Sequence, residues 1–280
     1  MADGSEVSRR GFALSAAAMT AVAANPAQAA VDLVATDVSV ATPDGTCDAV
    51  LFHPKGKGTW PAVVIFTDIL GLRPVFRDMG ARMAAEGFVV LVPNPFYRTR
   101  KAPVIEGPFD FNNPTDRAKL NEFRGTLFAP GNVEQDASAY VAYLDSLKVT
   151  NRKAKVGVAG YCMGGPMTMM AAATLPDRIG AGASFHGGGL VTDLPGSPHL
   201  LVPKMKAKFY FGVAMNDDQK QPDAKTRLAE AFTAAHLDAR VEVYDGAMHG
   251  WCVKGSAVYN EAAAEKAWAE MVGLYRRALV

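Results

Sequence analysis

The sequence predicts an α/β fold in which helices cover both faces of a mostly parallel β-sheet. Short β-branched runs such as Ala62–Phe66 and residues 88–92 are apolar throughout, as expected of strands buried on both faces. Segments with helical spacing separate such runs, and this alternation favours parallel strands joined by helices. The length of 280 residues suits one large domain of this class.

The predicted elements begin with a hairpin. Residues 31–40 and 47–52 are apolar-rich strands, and the Pro-Asp-Gly of residues 43–45 supplies a turn between them. A helix is predicted over residues 75–86, and Gly87 marks its C-terminal end. The strands at 62–66 and 88–92 flank this helix.

A long loop divides the domain near its middle. Residues 94–115 are rich in Pro, Asn and Gly, and so long a loop in a compact domain is often functional. Helices and strands then alternate to the C-terminus. Helices are predicted at 115–127, 133–147, just after 162, 222–236 and 257–278, and strands at 154–159, 179–185, 207–213 and 239–244. No repeat or linker divides residues 30–280, which we interpret as one domain.

Composition excludes several classes of function. Apolar residues make up 49% of the chain, and the formal net charge is +1, so no global charge favours nucleic acid or an anionic membrane. Three cysteines, Cys47, Cys162 and Cys252, are too few and odd in number for a disulfide framework. No residue pattern calls for a cofactor or a metal.

Residues 1–29 predict a cleaved export signal. Arg9 and Arg10 precede a short apolar stretch, and a small-x-small end follows at Ala27 to Ala29. The arginine pair resembles the twin-arginine signature, so the expected partner is the twin-arginine machinery, and the expected location is periplasmic or secreted. The apolar stretch is too short to span a bilayer, and no other segment is apolar for long enough.

The segment from Gly160 to Gly165 carries the strongest chemical signal. It reads Gly-Tyr-Cys-Met-Gly-Gly between a short strand and a helix, which resembles the nucleophile elbow Gly-x-Ser-x-Gly with Cys162 in place of Ser. Glycines relieve crowding at so sharp a turn, and the helix N-terminus favours a thiolate. The alternative interpretation is a structural cysteine buried in a tight turn.

A nucleophile of this kind needs a base and an acid that orients the base. His249 follows the strand that ends near Tyr244 and precedes the last helix, so it is the candidate base. Either Asp217 or Asp218, after the strand at 207–213, could be the acid. The backbone amides of Met163 and Ile69 are the predicted oxyanion hole.

With these residues in place, the chain resembles the dienelactone hydrolase family of α/β-hydrolases. The resemblance covers nearly all of residues 30–280 and includes the segments 68–73, 87–98 and 160–165 together with His249. It implies an α/β-hydrolase fold and hydrolysis of a small-molecule ester or lactone through a cysteine. It also selects Asp218 as the acid, because the family's catalytic Asp typically stands four residues before a Pro, here Pro222.

The resemblance extends to the control of the thiol and to substrate binding. Asp68 occupies the place of an acidic residue that modulates the resting thiol, where well-studied members have Glu. The archetype of the family binds a substrate carboxylate with two arginines. Val253 stands at the position of one of these arginines, and Lys254 follows it. Candidates for the position of the other arginine are Arg117, Lys119 and Arg124, and His186 is a further candidate for lining the pocket.

Two other functions compete with hydrolysis. A non-catalytic periplasmic small-molecule-binding protein could retain the fold and the pocket. A metal site formed by Cys162, Cys252 and His249 is the second rival, although no Cys-x-x-Cys spacing supports it.

Overall fold

The computed structural model describes Met1 and residues 31–106, 109–110 and 112–279. All elements given below belong to the unit that begins at Val31. The predicted export signal, residues 1–29, lies outside the described residues apart from Met1. Within the described ranges, no helix is long and apolar enough to cross a membrane.

Eight strands within the described residues form one sheet. The strands are β1 Leu33–Thr42, β2 Gly45–Pro54, β3 Ala62–Phe66, β4 Val89–Pro93, β5 Val156–Tyr161, β6 Ile179–Phe185, β7 Lys208–Ala214 and β8 Ala239–Tyr244. The helices are α1 Pro74–Ala85, α2 Pro114–Leu127, α3 Asn132–Ser146, α4 Gly164–Thr174, α5 Met215–Lys220, α6 Ala224–Ala234 and α7 Glu261–Ala278, and Pro198–Lys204 is a 3₁₀ helix.

The sheet has the strand order β1-β2-β4-β3-β5-β6-β7-β8. The first two strands form the predicted hairpin, and β2 also pairs antiparallel with β4. From β4 to β8 every neighbouring pair is parallel. The predicted mostly parallel sheet with helices on both faces is therefore confirmed.

Strand β3 shows how the two faces are filled. Its residues are all buried, and they alternate between two apolar clusters. Val63 and Ile65 belong to the cluster that contains side chains of α1 and α7, whereas Val64 belongs to the cluster with α3, α4 and α6. A strand covered on both sides needs no polar alternation, which explains its unbroken apolar run.

The structure differs from the sequence prediction mainly at short elements. Strand β5 begins at Val156, not at residue 154, because the Ala154 amide closes a turn onto the Asn151 carbonyl oxygen at 3.2 Å. Helix α5 and the 3₁₀ helix were not predicted, since six or seven residues are too few to show a period. The last helix begins at Glu261, and residues 251–259 before it are turns and loop.

Candidate active site

The candidate site lies at the carboxyl ends of the parallel strands, where loops converge in open α/β sheets. Asp68 follows β3, Cys162 follows β5 and His249 lies on the loop after β8. These three side chains line one cavity of about 420 Å³. The fold therefore brings together residues that are up to 181 positions apart (249 − 68).

Cys162 occupies the sharp turn between β5 and α4. Its φ is +52°, a left-handed value that a residue with a side chain seldom adopts, and its amide donates to the Phe185 carbonyl oxygen at 3.0 Å. The flanking glycines have a steric reason. A Cβ on Gly160 would lie 2.1 Å from the Gly164 carbonyl oxygen, and one on Gly164 would lie 2.4 Å from that of Phe66. The predicted strand–turn–helix geometry is thus present.

His249 connects this thiol to a carboxylate. Its Nδ1 lies 2.5 Å from Asp217 Oδ2, and it lines the same cavity as Cys162, close enough for Cys162 to raise its pKa. The His249 amide donates to Asn216 Oδ1 at 2.8 Å, which fixes the loop against the end of β7. The three side chains thus follow one another in the order Cys162, His249 and Asp217, the order that a nucleophile, base and acid would have.

The choice of Asp218 as the acid is corrected by this geometry. Both Asp218 carboxylate oxygens accept from Lys225 Nζ, at 2.7 and 2.8 Å, whereas Asp217 contacts His249. The two residues lie in the first turn of α5, where successive side chains point about 100° apart, so only one of them faces the histidine. The spacing to Pro222 therefore selected the wrong neighbour.

The electrostatics of His249 favour its protonated form. Burial disfavours the imidazolium and is the largest single influence. The hydrogen bond to Asp217, the neighbouring Cys162 side chain and the charge of Asp217 outweigh burial and raise the pKa of His249 from its ordinary value of 6.5 to about 10. A protonated His249 at neutral pH can stabilise a thiolate on Cys162.

Asp68 lies in the cavity wall but is held by other groups. Arg73 donates to both of its carboxylate oxygens, at 2.6 and 2.8 Å, and the Leu70 amide donates to Oδ1 at 3.0 Å. Asp68 is only 8% exposed. Asp68 and Cys162 therefore share the cavity while the carboxylate is committed to Arg73.

The two predicted oxyanion residues differ in their relation to the cavity. Ile69 lines the cavity in the loop after β3, and Met163 directly follows Cys162. Within the described residues, neither the Ile69 nor the Met163 amide donates to a backbone carbonyl outside the helices and strands. Both amides therefore remain candidate donors to a substrate oxygen.

The predicted substrate-binding cations lie outside the cavity. Arg117 and Arg124 are exposed on α2, and the Arg124 guanidinium stacks 5.7 Å from the Phe128 ring. Lys119 on the same helix lies 3.9 Å from Asp116. Lys254 lines a second cavity, of about 270 Å³, in which Cys252 also lies. None of these four residues lines the cavity of Cys162.

His186 does line the cavity of Cys162, as predicted. It is 1% exposed, has a φ of +40°, and its ring centroid lies 5.1 Å from that of His249. Burial, together with the neighbouring charge of His249, lowers its pKa well below 6.5, so the ring is neutral. Within the described residues, neither ring nitrogen has a hydrogen-bond partner.

Two features of the site have roles that the sequence does not predict. Arg73 clamps Asp68 and lines the cavity, and its position five residues after that aspartate was the available signal. The loop after His249 supplies Val253, Ala257 and Val258 to the wall, whereas the sequence predicts a helix from residue 257 onward.

The rival metal site has no geometric support in the described chain. Within it, no group of three or more His, Cys, Asp or Glu side chains is arranged to hold a metal ion. Cys252 faces the second cavity, whereas Cys162 and His249 face the first. The three proposed ligands therefore do not converge.

Comparisons with known proteins agree with this fold. The model of the dienelactone hydrolase family matches residues 47–279. A Synechocystis protein named "putative carboxymethylenebutenolidase" is 28% identical over 255 residues, covering 89% of this chain and 99% of the relative. A carboxymethylenebutenolidase from a Pseudomonas species is 29% identical over 222 residues, covering 79% and 86% of the two chains.

A solved structure shares the architecture. The Klebsiella pneumoniae protein described as a "putative dienelactone hydrolase" superposes with a TM-score of 0.75 at 21% identity, over 88% of this chain and 99% of the other. At that identity the likeness shows the fold alone. The match to the family model spans most of the chain and shows family membership. With its strained cysteine turn at the edge of an α/β sheet, this chain belongs to the dienelactone hydrolase family and is an ester- or lactone-hydrolysing enzyme of that family.

Proposed function

We propose that the enzyme cleaves its ester or lactone through a Cys162–His249–Asp217 triad and an acyl-enzyme on Cys162. One observation carries the proposal: His249 contacts both the thiol at the strained turn and the carboxylate of Asp217. A thiolate is intrinsically more nucleophilic at neutral pH than a hydroxyl, so activated esters and lactones suit it.

In acylation, the Cys162 thiolate attacks the carbonyl carbon of the substrate and forms a carbon–sulfur bond. The carbonyl oxygen becomes an oxyanion, for which the amides of Ile69 and Met163 are the candidate donors. The carbon–oxygen bond to the leaving group then breaks. The imidazolium of His249 gives its proton to the departing oxygen, while Asp217 holds the ring by Nδ1.

In deacylation, His249 is neutral and acts as a base. It takes a proton from water, and the hydroxide oxygen attacks the thioester carbon. The carbon–sulfur bond breaks, the acid leaves, and the thiolate–imidazolium pair is restored. Asp217 supports both steps because it stabilises the imidazolium that precedes acylation and forms again in deacylation.

Asp68 is the candidate that modulates the thiol, and we infer that it acts through its charge. Its oxygens are bound by Arg73 and by the Leu70 amide, which favours an indirect effect over direct contact with Cys162. The ion pair also fixes the loop that carries Ile69, so Asp68 positions a candidate oxyanion donor.

Replacement of the nucleophile tests the proposal. We expect Cys162→Ala to lower kcat/KM for p-nitrophenyl esters and lactones by about 10³-fold or more. The matched control is Cys252→Ala, which removes a thiol that faces the other cavity and should retain activity within about threefold. Undiminished turnover by Cys162→Ala would contradict the proposal. Stoichiometric binding of intact ester without turnover by the unmodified protein would instead support the binding-protein alternative.

We also propose that residues 1–29 direct twin-arginine export of the folded enzyme. The support is the order of features in the sequence: the pair Arg9-Arg10, the apolar stretch and the small-residue end. Replacing both arginines by lysine should leave the protein in the cytoplasmic fraction, uncleaved, in a bacterium that has this machinery. Export of the lysine variant at the normal level would contradict it.

A further inference from the structure

The charges inside the cavity of Cys162 narrow the class of substrate. We propose that the enzyme prefers uncharged esters or lactones with an apolar acyl group over substrates whose acyl group carries a carboxylate. This inference rests on the proposed Cys162-dependent hydrolysis and adds its specificity.

Most of the accessible surface of the cavity is apolar. Five apolar side chains from the loop after β3 and from the loop after His249 line it, namely Ile69, Leu70, Val253, Ala257 and Val258. Val253 is 4% exposed and lies in the wall, whereas Val258 is 38% exposed and lies at the rim. An apolar acyl chain that contacts this surface is removed from water, which favours binding. A charged group finds no hydrogen-bond or ionic partner on the same surface.

Ser256, the polar side chain that the loop after His249 supplies to this wall, is already hydrogen-bonded. Ser256 Oγ donates to the Gly250 carbonyl oxygen at 3.4 Å and accepts from the Val258 amide at 3.2 Å. These bonds lie within the loop itself. A substrate group would therefore compete with them for the hydroxyl.

Arg73 is the one Lys or Arg that lines this cavity within the described residues. Its two terminal nitrogens donate to the two oxygens of Asp68, and Nη1 also donates to the Gly71 carbonyl oxygen at 3.1 Å. A substrate carboxylate would have to displace Asp68 from this bidentate pair. Asp68 is buried, so it would then be left as an unpaired charge, which is costly.

The second positive charge in the cavity is equally committed. The imidazolium of His249 faces Asp217 on one side and Cys162 on the other. No surplus positive charge is left by these two groups, the pair Asp68–Arg73 and the trio Cys162, His249 and Asp217. The neutral His186 adds none. A buried carboxylate would lose its hydration without gaining a free counter-charge.

A matched pair of esters tests the inference on the unmodified enzyme. p-Nitrophenyl hexanoate and mono-p-nitrophenyl adipate have the same leaving group and six-carbon acyl chain, but adipate ends in a carboxylate. We expect kcat/KM to be on the order of 100-fold higher for the hexanoate. Equal values, or a preference for the adipate, would overturn the inference.

A charge placed at the rim sharpens the test. Val258→Arg adds a free guanidinium at a partly exposed position, so it need not disturb the core. We expect it to raise the adipate/hexanoate ratio of kcat/KM about tenfold or more, because the added charge supplies the missing partner. Val258→Met controls for bulk and should leave the ratio unchanged. An equal shift in the methionine variant would count against a charge effect.

Failure of this inference and failure of the proposed function look different. If only the specificity is wrong, Cys162→Ala abolishes both hydrolyses while the unmodified enzyme accepts adipate as readily as hexanoate. If the proposed function itself is wrong, Cys162→Ala cleaves both esters at the unmodified rate.

Discussion

Cys162 and Cys252 both lie near His249, Cys162 in space and Cys252 in the sequence, yet they differ in burial, in the cavity that they line and in their partners. Cys162 is half-buried, has a φ of +52° and contacts His249 at the start of α4. Cys252 comes three residues after His249 but is 7% exposed and faces the second cavity. Burial raises the pKa of the Cys252 thiol well above its ordinary value. The placement of the thiol, not its chemistry alone, makes a nucleophile.

Cys47 extends the contrast. It is fully buried, and its thiol lies 3.4 Å from the Tyr140 hydroxyl and 3.4 Å from the Asn94 carbonyl oxygen. Burial raises its pKa to about 12 despite the hydrogen bond from Tyr140. Cys47 is therefore a packing residue, since a thiol becomes reactive only where its charged form is supported.

The largest effect expected beyond loss of the thiol itself concerns the two aspartates. Asp217→Asn removes the charge that stabilises the His249 imidazolium, so the imidazolium would no longer support a thiolate on Cys162. We expect kcat/KM to fall about 10³-fold, as measured by p-nitrophenyl hexanoate hydrolysis.

Asp218→Asn is the matched control, because it makes the same chemical change one residue further along α5. Its carboxylate pairs with Lys225 and not with His249, so kcat/KM should stay within about threefold. A large loss in Asp218→Asn with a small one in Asp217→Asn would reverse the assignment made here.

Alkylation compares the thiols directly. At about pH 6, iodoacetamide should modify Cys162 at least about 100-fold faster than Cys47 or Cys252, because only Cys162 has an imidazolium to support its thiolate. Peptide mass spectrometry after timed quenching measures the three rates in one sample. Comparable rates at Cys162 and Cys252 in the folded protein would remove the distinction on which the mechanism rests.

The smallest expected effect is the dependence of stability on pH. The folded protein holds the pKa of His249 at about 10, above its ordinary value of 6.5, so folding favours the protonated form. That contribution is fully present below about pH 6.5, declines as the pH rises, and is lost above about pH 10.

The neutral variant His249→Gln isolates this contribution. The unfolding free energy of the unmodified protein minus that of the variant should be larger at pH 6 than at pH 10.5, by about 1–2 kcal/mol. Urea denaturation at the two pH values measures it. A difference that is constant or grows with pH would show that His249 is not held protonated by the fold.

The sequence predicted the architecture because its signals are local. The apolar run of β3 and the glycines around Cys162 each impose one backbone geometry, and the structure has both. His249 was found because a histidine on the loop after the last strand must reach the same sheet edge as the residue that follows β5.

The features that were not predicted depend on the direction of a side chain or on the distance between residues far apart in the sequence. Local sequence patterns encode neither. Asp217 and Asp218 are chemically identical neighbours, and only the start of the short helix α5 determines which of them faces His249. Arg117, Arg124 and Lys254 were plausible by type, yet none lines the cavity of Cys162. Residues on long loops and exposed helices can be placed only once the fold is known.

The most direct test of the central claim is to trap the acyl-enzyme. The enzyme is mixed with p-nitrophenyl hexanoate, quenched with acid within milliseconds, digested, and its peptides are analysed by mass spectrometry. We expect one hexanoyl group, as a thioester on the peptide that contains Cys162, and none on the peptides of Cys47 or Cys252. A burst of p-nitrophenol with no acylated Cys162, or an acyl group on another residue, would contradict the mechanism.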